Sequence, residues 1–363
     1  MRTTEDIGAI ARQFQIEGQL AGAVPIGSGH IHDSYRVTLE GESGWSDFVL
    51  QRINTRVFTR PADLMENVVR ITSHMDSSLA SGSGAARRAL HLVPARNGTF
   101  AHIDPDGSWW RIFAFIPGAR AHEAVTPEQA RQVAHAIGQF QLQMASLGEP
   151  RLHDTIPDFH NTPLRLDFLK RAIDADVVAR RQSARAEIEF ALERREVSSL
   201  LVDAGLPERI VHNDAKSGNV LLDDLTGEAV CVIDLDTVMS GLAVHDFGDM
   251  VRSMTSPAPE DEHDLSRVYM QFDYYEAMLH GYVSAAASLL TGDEIRMLPD
   301  AGKVITYENG LRFLADYLTG DTYYKTAYPE QNLHRCRTQF ALVRSIEEQE
   351  PRMRNALRRF LQV

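Results

Sequence analysis

The spacing of apolar residues changes near residue 117, and this change limits the fold more than any other feature of the chain. Before it, apolar and polar residues alternate in segments that predict strands at 35–39, 47–53, 99–103 and 109–115. After it, apolar residues recur mostly at helical spacings of three and four. We therefore predict an α+β fold, in which residues 1–117 form a small antiparallel sheet region and residues 118–363 form a larger, mainly helical region.

Three helices begin with recognisable signals. Roughly the first 20 residues repeat apolar side chains at helical spacing. Pro61 suits the first position of a helix over 61–80, and the segment TPEQ at 126–129 has the form of a capping box with proline at the first helical position. Farther along, two short strands are predicted near 219–222 and 230–234.

Composition and charge exclude several classes of protein. The chain has 363 residues, with 37 lysines and arginines against 50 aspartates and glutamates, a formal net charge of -13. An acidic surface opposes binding to nucleic acid or to anionic membranes, so neither is an expected partner, and no obligate protein partner is inferred. The N-terminus lacks the pattern of a secretory signal and no segment is apolar enough to span a membrane, so we expect a cytoplasmic protein.

Two polar segments in the helical region have the pattern of a phosphoryl-transfer site. Asp214 follows His212 by two positions and precedes Asn219 by five, which is the spacing of a kinase catalytic loop. Asp234 then ends an apolar strand. Phosphoryl transfer from ATP needs a carboxylate that orients the attacking hydroxyl and oxygen ligands for Mg²⁺. Because these residues supply both kinds of group at the required spacing, they predict a kinase.

Three further features leave alternatives open. The segment 246–249 spells DFGD, but no apolar strand precedes it, so we interpret Asp246 as a helix N-cap and not as a metal ligand. The turn GSGH at 27–30 is compatible with a loop that covers phosphates or with an ordinary hairpin turn. Asp236 either assists the metal ligand or caps the next turn.

On these residues the chain resembles the aminoglycoside phosphotransferase and choline kinase-like superfamily over most of its length. The stretches that carry the resemblance are HNDAKSGN at 212–219, IDLD at 233–236, DFGD at 246–249 and WRIFAFIPG at 110–118. Within the superfamily it looks most similar to bacterial N-acetylhexosamine 1-kinases, through GSGHI at 27–31, VLQRIN at 49–54, RFLADYL at 312–318 and GDTY at 320–323. The resemblance implies a protein-kinase-like fold of two lobes, with residues 1–117 covering the nucleotide and residues 118–363 carrying the catalytic loop and the sugar site.

The resemblance also implies a reaction, the transfer of phosphate from ATP, with Mg²⁺, to the anomeric hydroxyl of N-acetylglucosamine or N-acetylgalactosamine. By this resemblance Asp214 is the catalytic base and contacts the acceptor, and Asn219 and Asp234 are the magnesium ligands. The implied ATP contacts are Gly27, Gly29, Gln51, Phe113, Phe115 and Lys216. The implied sugar contacts, besides the base, are His30, Arg312 and Tyr323.

The predicted strand 47–53 departs from the wider superfamily at its phosphate-binding position. Where many members have a lysine, this chain has Gln51, followed by Arg52. A neutral amide can donate a hydrogen bond to a phosphate but cannot neutralise its charge. Because alternate residues of a strand face opposite ways, only one of the two can line the nucleotide site. Either Arg52 faces inward, or Mg²⁺ and Lys216 carry more of the charge compensation.

Alternatives to the N-acetylhexosamine interpretation stay open. The acceptor can be another alcohol, such as an aminoglycoside, choline, homoserine or a methylthio sugar; choline would need an aromatic cage. The chain can also be a catalytically silent module that binds a nucleotide or a sugar. At the level of single residues, Arg312 can serve only as a partner of Glu308 one helical turn earlier, and Tyr323 can be an ordinary surface aromatic.

Overall fold

The structure, a computed structural model, describes residues 3–26, 31–42, 44–78 and 89–361. By its internal contacts the chain divides into two compact units. The first unit comprises Met1–Ala119, Leu147–Pro157 and Val230–Met239, and the second comprises Arg120–Ser146, Asp158–Ala229 and Ser240–Val363. Two segments that follow residue 119 in the sequence therefore belong to the first unit.

A five-stranded antiparallel sheet is the main element of the first unit. In the spatial order β1-β2-β3-β5-β4, its strands are β1 (Gln19–Pro25), β2 (Asp33–Gly41), β3 (Gly44–Arg52), β5 (Trp109–Ala114) and β4 (His102–Ile103). The predicted hairpin is confirmed as β2 and β3. Strand β1 is not predicted by the sequence pattern, because its register shifts between Leu20 and Gly22 and its burial does not alternate regularly.

The first helix, α1 (Thr4–Ala11), is shorter than predicted. A capping box at Thr3 starts it. Phe14 lies beyond its last residue yet is fully buried, in the same core as Leu50 of the sheet. The apolar repeat that extended the prediction therefore reflects burial and not a continued helix. Helix α2 (Pro61–Ser78) begins at the predicted proline.

Helices dominate the second unit, and together with the antiparallel sheet of the first unit they confirm the predicted α+β fold class. They are α3 (Pro127–Met144), α4 (Thr162–Ala175), α5 (Arg185–Glu193), α6 (Ala243–Met254), α7 (Phe272–Ala286), α8 (Gly292–Leu318) and α9 (Gln331–Leu361). Helix α3 begins at the predicted capping box. Although α8 and α9 are long, no helix among the described residues is both long and apolar enough to cross a bilayer.

The remaining strands of the chain are short and flank polar loops. They are β6 (Ala119–Arg120), β7 (Glu208–Val211), β8 (Val220–Asp223), β9 (Ala229–Val232) and β10 (Met239–Leu242). The sequence predicts β8 and β9 but not β7 and β10, and β10 pairs with β7. The segment 212–219 runs between β7 and β8, and Asp234 follows β9, so strands position both predicted catalytic segments.

Close packing of α6 against α8 fixes the segment DFGD in the second unit. A Cβ atom on Gly248 would lie 2.5 Å from the carbonyl oxygen of Ala301, and one on Gly302 would lie 2.6 Å from a side-chain methyl of Val251. Neither position has room for a side chain, so glycine is needed for this helix crossing. The glycine of DFGD therefore serves helix packing.

Candidate active site

The loop between β7 and β8 gathers three of the predicted residues around one carboxylate. The Oδ2 atom of Asp214 accepts hydrogen bonds from Lys216 Nζ and from Asn219 Nδ2, both at 2.8 Å. Asn219 Nδ2 also donates to the main-chain oxygen of Asp214 at 2.8 Å. Among the described residues, no hydrogen bond reaches Asp214 Oδ1. One carboxylate oxygen is therefore held in place and the other is available to a hydroxyl group.

The charges around Asp214 keep it ionised. Burial raises the pKa of its carboxyl, but the adjacent Lys216 ammonium, His212 and the amide of Asn219 lower it more, so the pKa falls to about 2. A carboxylate with so low a pKa is a weak base. It can therefore orient a hydroxyl group through a hydrogen bond before any proton is transferred.

Asp246 binds the backbone of this loop. Its predicted role as a helix N-cap is wrong. Helix α6 already begins at Ala243, so Asp246 lies inside its first turn. Its two carboxylate oxygens accept the backbone N–H groups of His212 and Asn213, at 2.9 and 2.7 Å, and Oδ2 also accepts Gln141 Nε2 at 2.7 Å. The acidic residue of DFGD thus fixes the backbone that immediately precedes Asp214.

A buried histidine supports the same loop from another direction. Nε2 of His160 lies 3.0 Å from the carbonyl oxygen of Asn213, and Nδ1 lies 2.9 Å from Glu308 Oε1. Both partners are acceptors, so both ring nitrogens carry protons and the ring is an imidazolium. Burial lowers the pKa of His160, but Glu308 and the other groups around the ring together raise it by more than burial lowers it. The pKa of His160 therefore lies above its ordinary value. Asn213 itself has a positive φ of 64°, which this network helps to maintain.

Arg312 projects among aromatic rings near the end of α8. Its guanidinium carbon lies 5.2 Å from the ring centre of Phe159, 5.7 Å from that of Tyr324 and 6.0 Å from that of Tyr323. Glu308 is engaged by the histidine described above and by a threonine, and it is not bonded to Arg312. Across the described ranges, no hydrogen bond or ion pair involves Arg312, so the structure does not support the alternative in which it only pairs with Glu308.

Asp316, one turn after Arg312, positions the loop that carries Tyr323. Its Oδ1 atom accepts the backbone N–H groups of Thr322 and Tyr323, at 2.9 and 2.8 Å, and Oδ2 accepts that of Tyr324 at 3.0 Å. The side chain of Tyr323 is 56% exposed. The stretches 312–318 and 320–323 therefore form one hydrogen-bonded segment, which places Tyr323 and Tyr324 beside Arg312.

The predicted second metal ligand lies in the first unit. Asp234 follows β9, is exposed, and has a positive φ of 59°. Asp236, two residues later, is buried and bonded to Arg111 and to His32. Burial raises the pKa of Asp236, but Arg111 and His32 lower it below its ordinary value. Asp236 therefore does not cap the next turn, whose N-cap position is Asp234, and it is a buried anion between two donors.

Gln51 and Arg52, at the phosphate-binding position where this chain departs from the superfamily, face opposite sides of β3. Arg52 is exposed and pairs with Asp33 on the adjacent strand. Gln51 is half-buried; its Oε1 atom accepts Arg111 Nε at 3.1 Å, and its Nε2 atom donates to Ser34 Oγ at 3.0 Å. Arg52 therefore does not face inward, and a third residue, Arg111 of β5, brings a positive charge next to Gln51.

Of the predicted ATP and sugar contacts, two phenylalanines lie in or directly after β5, and three other residues lie outside the described ranges. Phe113 is buried within β5, and the guanidinium carbon of Arg36 lies 4.5 Å from the ring centre of Phe115. The backbone N–H of Phe115 donates to the carbonyl oxygen of Asp47, so it already has a partner in the sheet. The residues that lie outside the described ranges are Gly27, Gly29 and His30.

Sequence reasoning missed the residues that support the predicted segments within each unit. In the second unit these are His160 and Glu308, next to the loop that precedes Asp214, and in the first unit it is Arg111, which binds Asp236. The one available signal was Arg111, a charged residue inside the apolar run 109–114. A charge in a buried strand requires a partner, so its position could have prompted a search for one.

The comparison with protein families decides the class of the protein. Residues 22–280 match the phosphotransferase enzyme family, APH, and the match spans well over half of the chain. The chain belongs to this family. It is therefore a small-molecule phosphotransferase, and the superfamily expected from the sequence is confirmed.

Solved structures similar to this APH phosphotransferase confirm the kinase-like fold class. A microcompartment-associated aminopropanol kinase matches with a TM-score of 0.61 at 16% identity, covering 97% of this chain and 99% of the other. Spectinomycin phosphotransferase, solved with ADP and spectinomycin, matches with a TM-score of 0.59 at 12% identity, covering 96% and 99%. A choline/ethanolamine kinase family protein from Mesorhizobium loti matches with a TM-score of 0.55 at 16% identity, covering 98% and 99%. At these identities the likeness shows the fold alone.

Proposed function

We propose that this phosphotransferase transfers the γ-phosphoryl group of ATP to the anomeric hydroxyl of an N-acetylhexosamine, N-acetylglucosamine or N-acetylgalactosamine. The observation that carries the proposal is Arg312, a guanidinium among aromatic rings to which no described residue is hydrogen-bonded. Hydroxyl and acetamido oxygens accept hydrogen bonds from such a group, and aromatic rings commonly line sites for small organic ligands. A neutral sugar matches both features.

The same arginine disfavours a cationic acceptor. Amino alcohols such as aminopropanol, choline and ethanolamine, which appear in the names of structurally similar proteins, carry a positive charge at neutral pH. An aromatic site for such a cation presents open ring faces, whereas Arg312 already lies near three rings. Arg165 adds a second positive charge nearby: burial and the charge of Arg312 both lower the pKa of Arg165. We therefore propose a neutral acceptor.

Asp214 is the proposed base for the acceptor hydroxyl. Its Oδ2 atom is held by Lys216 and Asn219, so Oδ1 accepts the hydrogen bond from the anomeric hydroxyl and aligns it for attack. As the new bond to phosphorus forms and the bond to the ADP oxygen breaks, the hydroxyl proton passes to Asp214. Lys216 keeps the carboxylate ionised before this step.

The donor atoms at Asn219 and Asp234 suit Mg²⁺. Asn219 uses its Nδ2 atom for Asp214, which leaves its amide oxygen for a cation, and Asp234 exposes a carboxylate. Oxygen atoms of these kinds are the ligands that Mg²⁺ prefers. When bound, Mg²⁺ supplies positive charge that compensates the phosphate oxygens. We propose these two residues as its protein ligands.

The remaining assignments follow the resemblance. We propose that residues 1–117 cover ATP and that residues 118–363 carry the sugar site. The proposed ATP contacts are Gly27, Gly29, Gln51, Phe113, Phe115 and Lys216. The proposed sugar contacts, besides the base, are His30, Arg312 and Tyr323.

Product analysis tests the proposed reaction directly. The protein is incubated with Mg-ATP and one acceptor at a time: the two N-acetylhexosamines, glucose, galactose, choline, ethanolamine, aminopropanol and an aminoglycoside. We expect a sugar 1-phosphate from an N-acetylhexosamine, recognised by NMR coupling between the anomeric proton and phosphorus. If only the acceptors that carry an amino or ammonium group were phosphorylated, the proposed acceptor would be refuted. ATP binding without any phosphorylated product would favour the catalytically silent module.

Replacing Arg312 separates sugar binding from nucleotide binding. We expect Arg312→Gln to raise the KM for the sugar by roughly 10- to 100-fold, because a hydrogen bond from a charged group contributes about 1.5–3 kcal/mol. The KM for ATP should not change. Initial rates at varied sugar and varied ATP measure both constants.

Arg171 gives a matched control, because it is an exposed arginine that also lies over an aromatic ring, that of Phe168, at 5.8 Å. Arg171→Gln should leave both KM values unchanged. An equal increase of both KM values in Arg312→Gln would contradict its assignment to the sugar.

A further inference from the structure

Arg111 is a buried cation in a strand of apolar residues. It lies in β5 between Trp110 and Ile112, and its side chain is 1% exposed. A charge removed so completely from water is stable only when its partners satisfy it. The partners that the structure gives it belong to the first unit and connect β3, β5 and the turn after β9.

The hydrogen bonds of Arg111 have a fixed geometry. Its Nε atom donates to Gln51 Oε1 at 3.1 Å, and its Nη1 and Nη2 atoms donate to the two oxygens of Asp236 at 2.5 and 2.8 Å. Gln51 and Arg111 are direct partners in the register of β3 and β5. Such a bidentate pair fixes the plane of the carboxylate as well as its distance, which a lysine cannot do.

His32 adds a third donor to Asp236. The Nδ1 atom of His32 accepts the backbone N–H of Asn54 at 3.1 Å, so the ring proton is on Nε2, which donates to Asp236 Oδ2 at 2.5 Å. His32, Asp234 and Asp236 are close enough to hold a metal ion together. In this tautomer, however, His32 has no lone pair left for a metal, and both oxygens of Asp236 accept hydrogen bonds from Arg111, whose positive charge opposes a bound cation. Asp234 is therefore the metal ligand of this group.

The backbone at Asp234 needs this support. A positive φ of 59° is unfavourable for a residue with a side chain and persists only where the surrounding structure imposes it. Two residues later, the side chain of Asp236 is bound by Arg111 and His32, and its main-chain oxygen accepts Thr155 Oγ1 at 2.7 Å. The turn that carries Asp234 is thus fixed through both the side chain and the backbone.

We propose that Arg111 is a positioning residue of the phosphoryl-transfer site: together with His32 it binds Asp236 and thereby fixes the turn that presents Asp234 to Mg²⁺. The proposal rests on the function proposed above, because it takes Asp234 as a metal ligand. It also explains Gln51, which accepts a hydrogen bond from Arg111 and keeps one amide N–H for a phosphate. Many superfamily members have a lysine at the position of Gln51 on β3. In this chain the positive charge next to that position belongs to Arg111 on β5.

A double substitution tests the proposal without leaving a lone buried charge. Arg111→Gln combined with Asp236→Asn removes both charges, so we expect the variant to fold with nearly unchanged thermal stability. Calorimetric titration with ADP, with and without Mg²⁺, measures the effect on the site. We expect Mg²⁺-dependent ADP binding to weaken about tenfold or more, as for other residues that orient metal ligands, and metal-free ADP binding to stay unchanged.

The matched control is the exposed arginine–aspartate pair of the same sheet, removed by Arg52→Gln with Asp33→Asn, which should bind Mg²⁺ and ADP as the wild type does. Wild-type Mg²⁺-dependent binding in the Arg111→Gln/Asp236→Asn variant would overturn the proposal. If that variant does not fold, Arg111→Lys decides, since it keeps the charge but loses the bidentate contact. Wild-type binding by Arg111→Lys would likewise overturn the proposal. No acceptor is present, so an error in the proposed sugar leaves this result interpretable.

Discussion

Asp214→Asn is expected to lower kcat with the sugar acceptor about 10³-fold, the middle of the range for a positioned general base. Asparagine keeps the size of the side chain and can still accept hydrogen bonds from Lys216 and Asn219, but it cannot take the hydroxyl proton. Burial raises the pKa of Asp214, yet Lys216 brings it down to about 2. The carboxylate is therefore ionised from about pH 5 to about pH 9, and the loss in kcat should be the same across that interval.

Initial rates of Asp214→Asn at saturating ATP and sugar measure this loss. The control is Asp224→Asn, which removes an exposed carboxylate ten residues later that pairs with the surface residue Arg120. Its kcat should equal that of the wild type. A kcat for Asp214→Asn within a few-fold of the wild type would remove Asp214 from its proposed role.

Asp234→Asn is expected to lower kcat by about 10²- to 10³-fold at millimolar Mg²⁺, because phosphoryl transfer depends chiefly on positioning and on metal charge. The amide of asparagine offers a neutral oxygen where the carboxylate offers a charged one. The Mg²⁺ concentration needed for half-maximal rate should therefore rise, and added Mg²⁺ should recover part of the loss. Rates over a series of Mg²⁺ concentrations at constant free ATP measure both effects.

Asp106→Asn is the control for this series. Asp106 is an exposed carboxylate in the turn between β4 and β5 of the same unit. Its Mg²⁺ dependence should match that of the wild type. If Asp234→Asn showed a reduced kcat with an unchanged Mg²⁺ dependence, Asp234 would be needed for some other reason than metal binding.

The parts of the site that could be predicted from the sequence are those built from neighbouring residues. Asp214, Lys216 and Asn219 lie within six positions, so their spacing already determines that one loop brings them together, and the structure shows hydrogen bonds among them. The capping box of α3 is local in the same way. Short-range geometry is a property of the segment itself, and a sequence pattern can therefore report it.

The supporting residues could not be predicted, because their partners are distant in the sequence. Arg111 binds a carboxylate 125 positions later, and His160 binds Glu308 148 positions later. Asp246 looked like a helix cap because the start of α6 is not marked by a polar residue; its N-cap position is Leu242. Only the tertiary structure brings such groups together, and no local pattern records which ones meet.

The carboxylate of Asp316 determines the course of the chain at 322–324 mainly through three main-chain N–H groups, to which the hydroxyl of Thr322 adds a longer contact. Every residue except proline provides a main-chain N–H group, whatever its side chain. Substitution of the side chains of Tyr323 and Tyr324 would therefore leave the hydrogen bonds that hold the backbone of this loop in place. Under the proposed assignment of Tyr323 to the sugar site, a substitution at this position would change the preference for the acceptor while the phosphate-transfer chemistry stays intact.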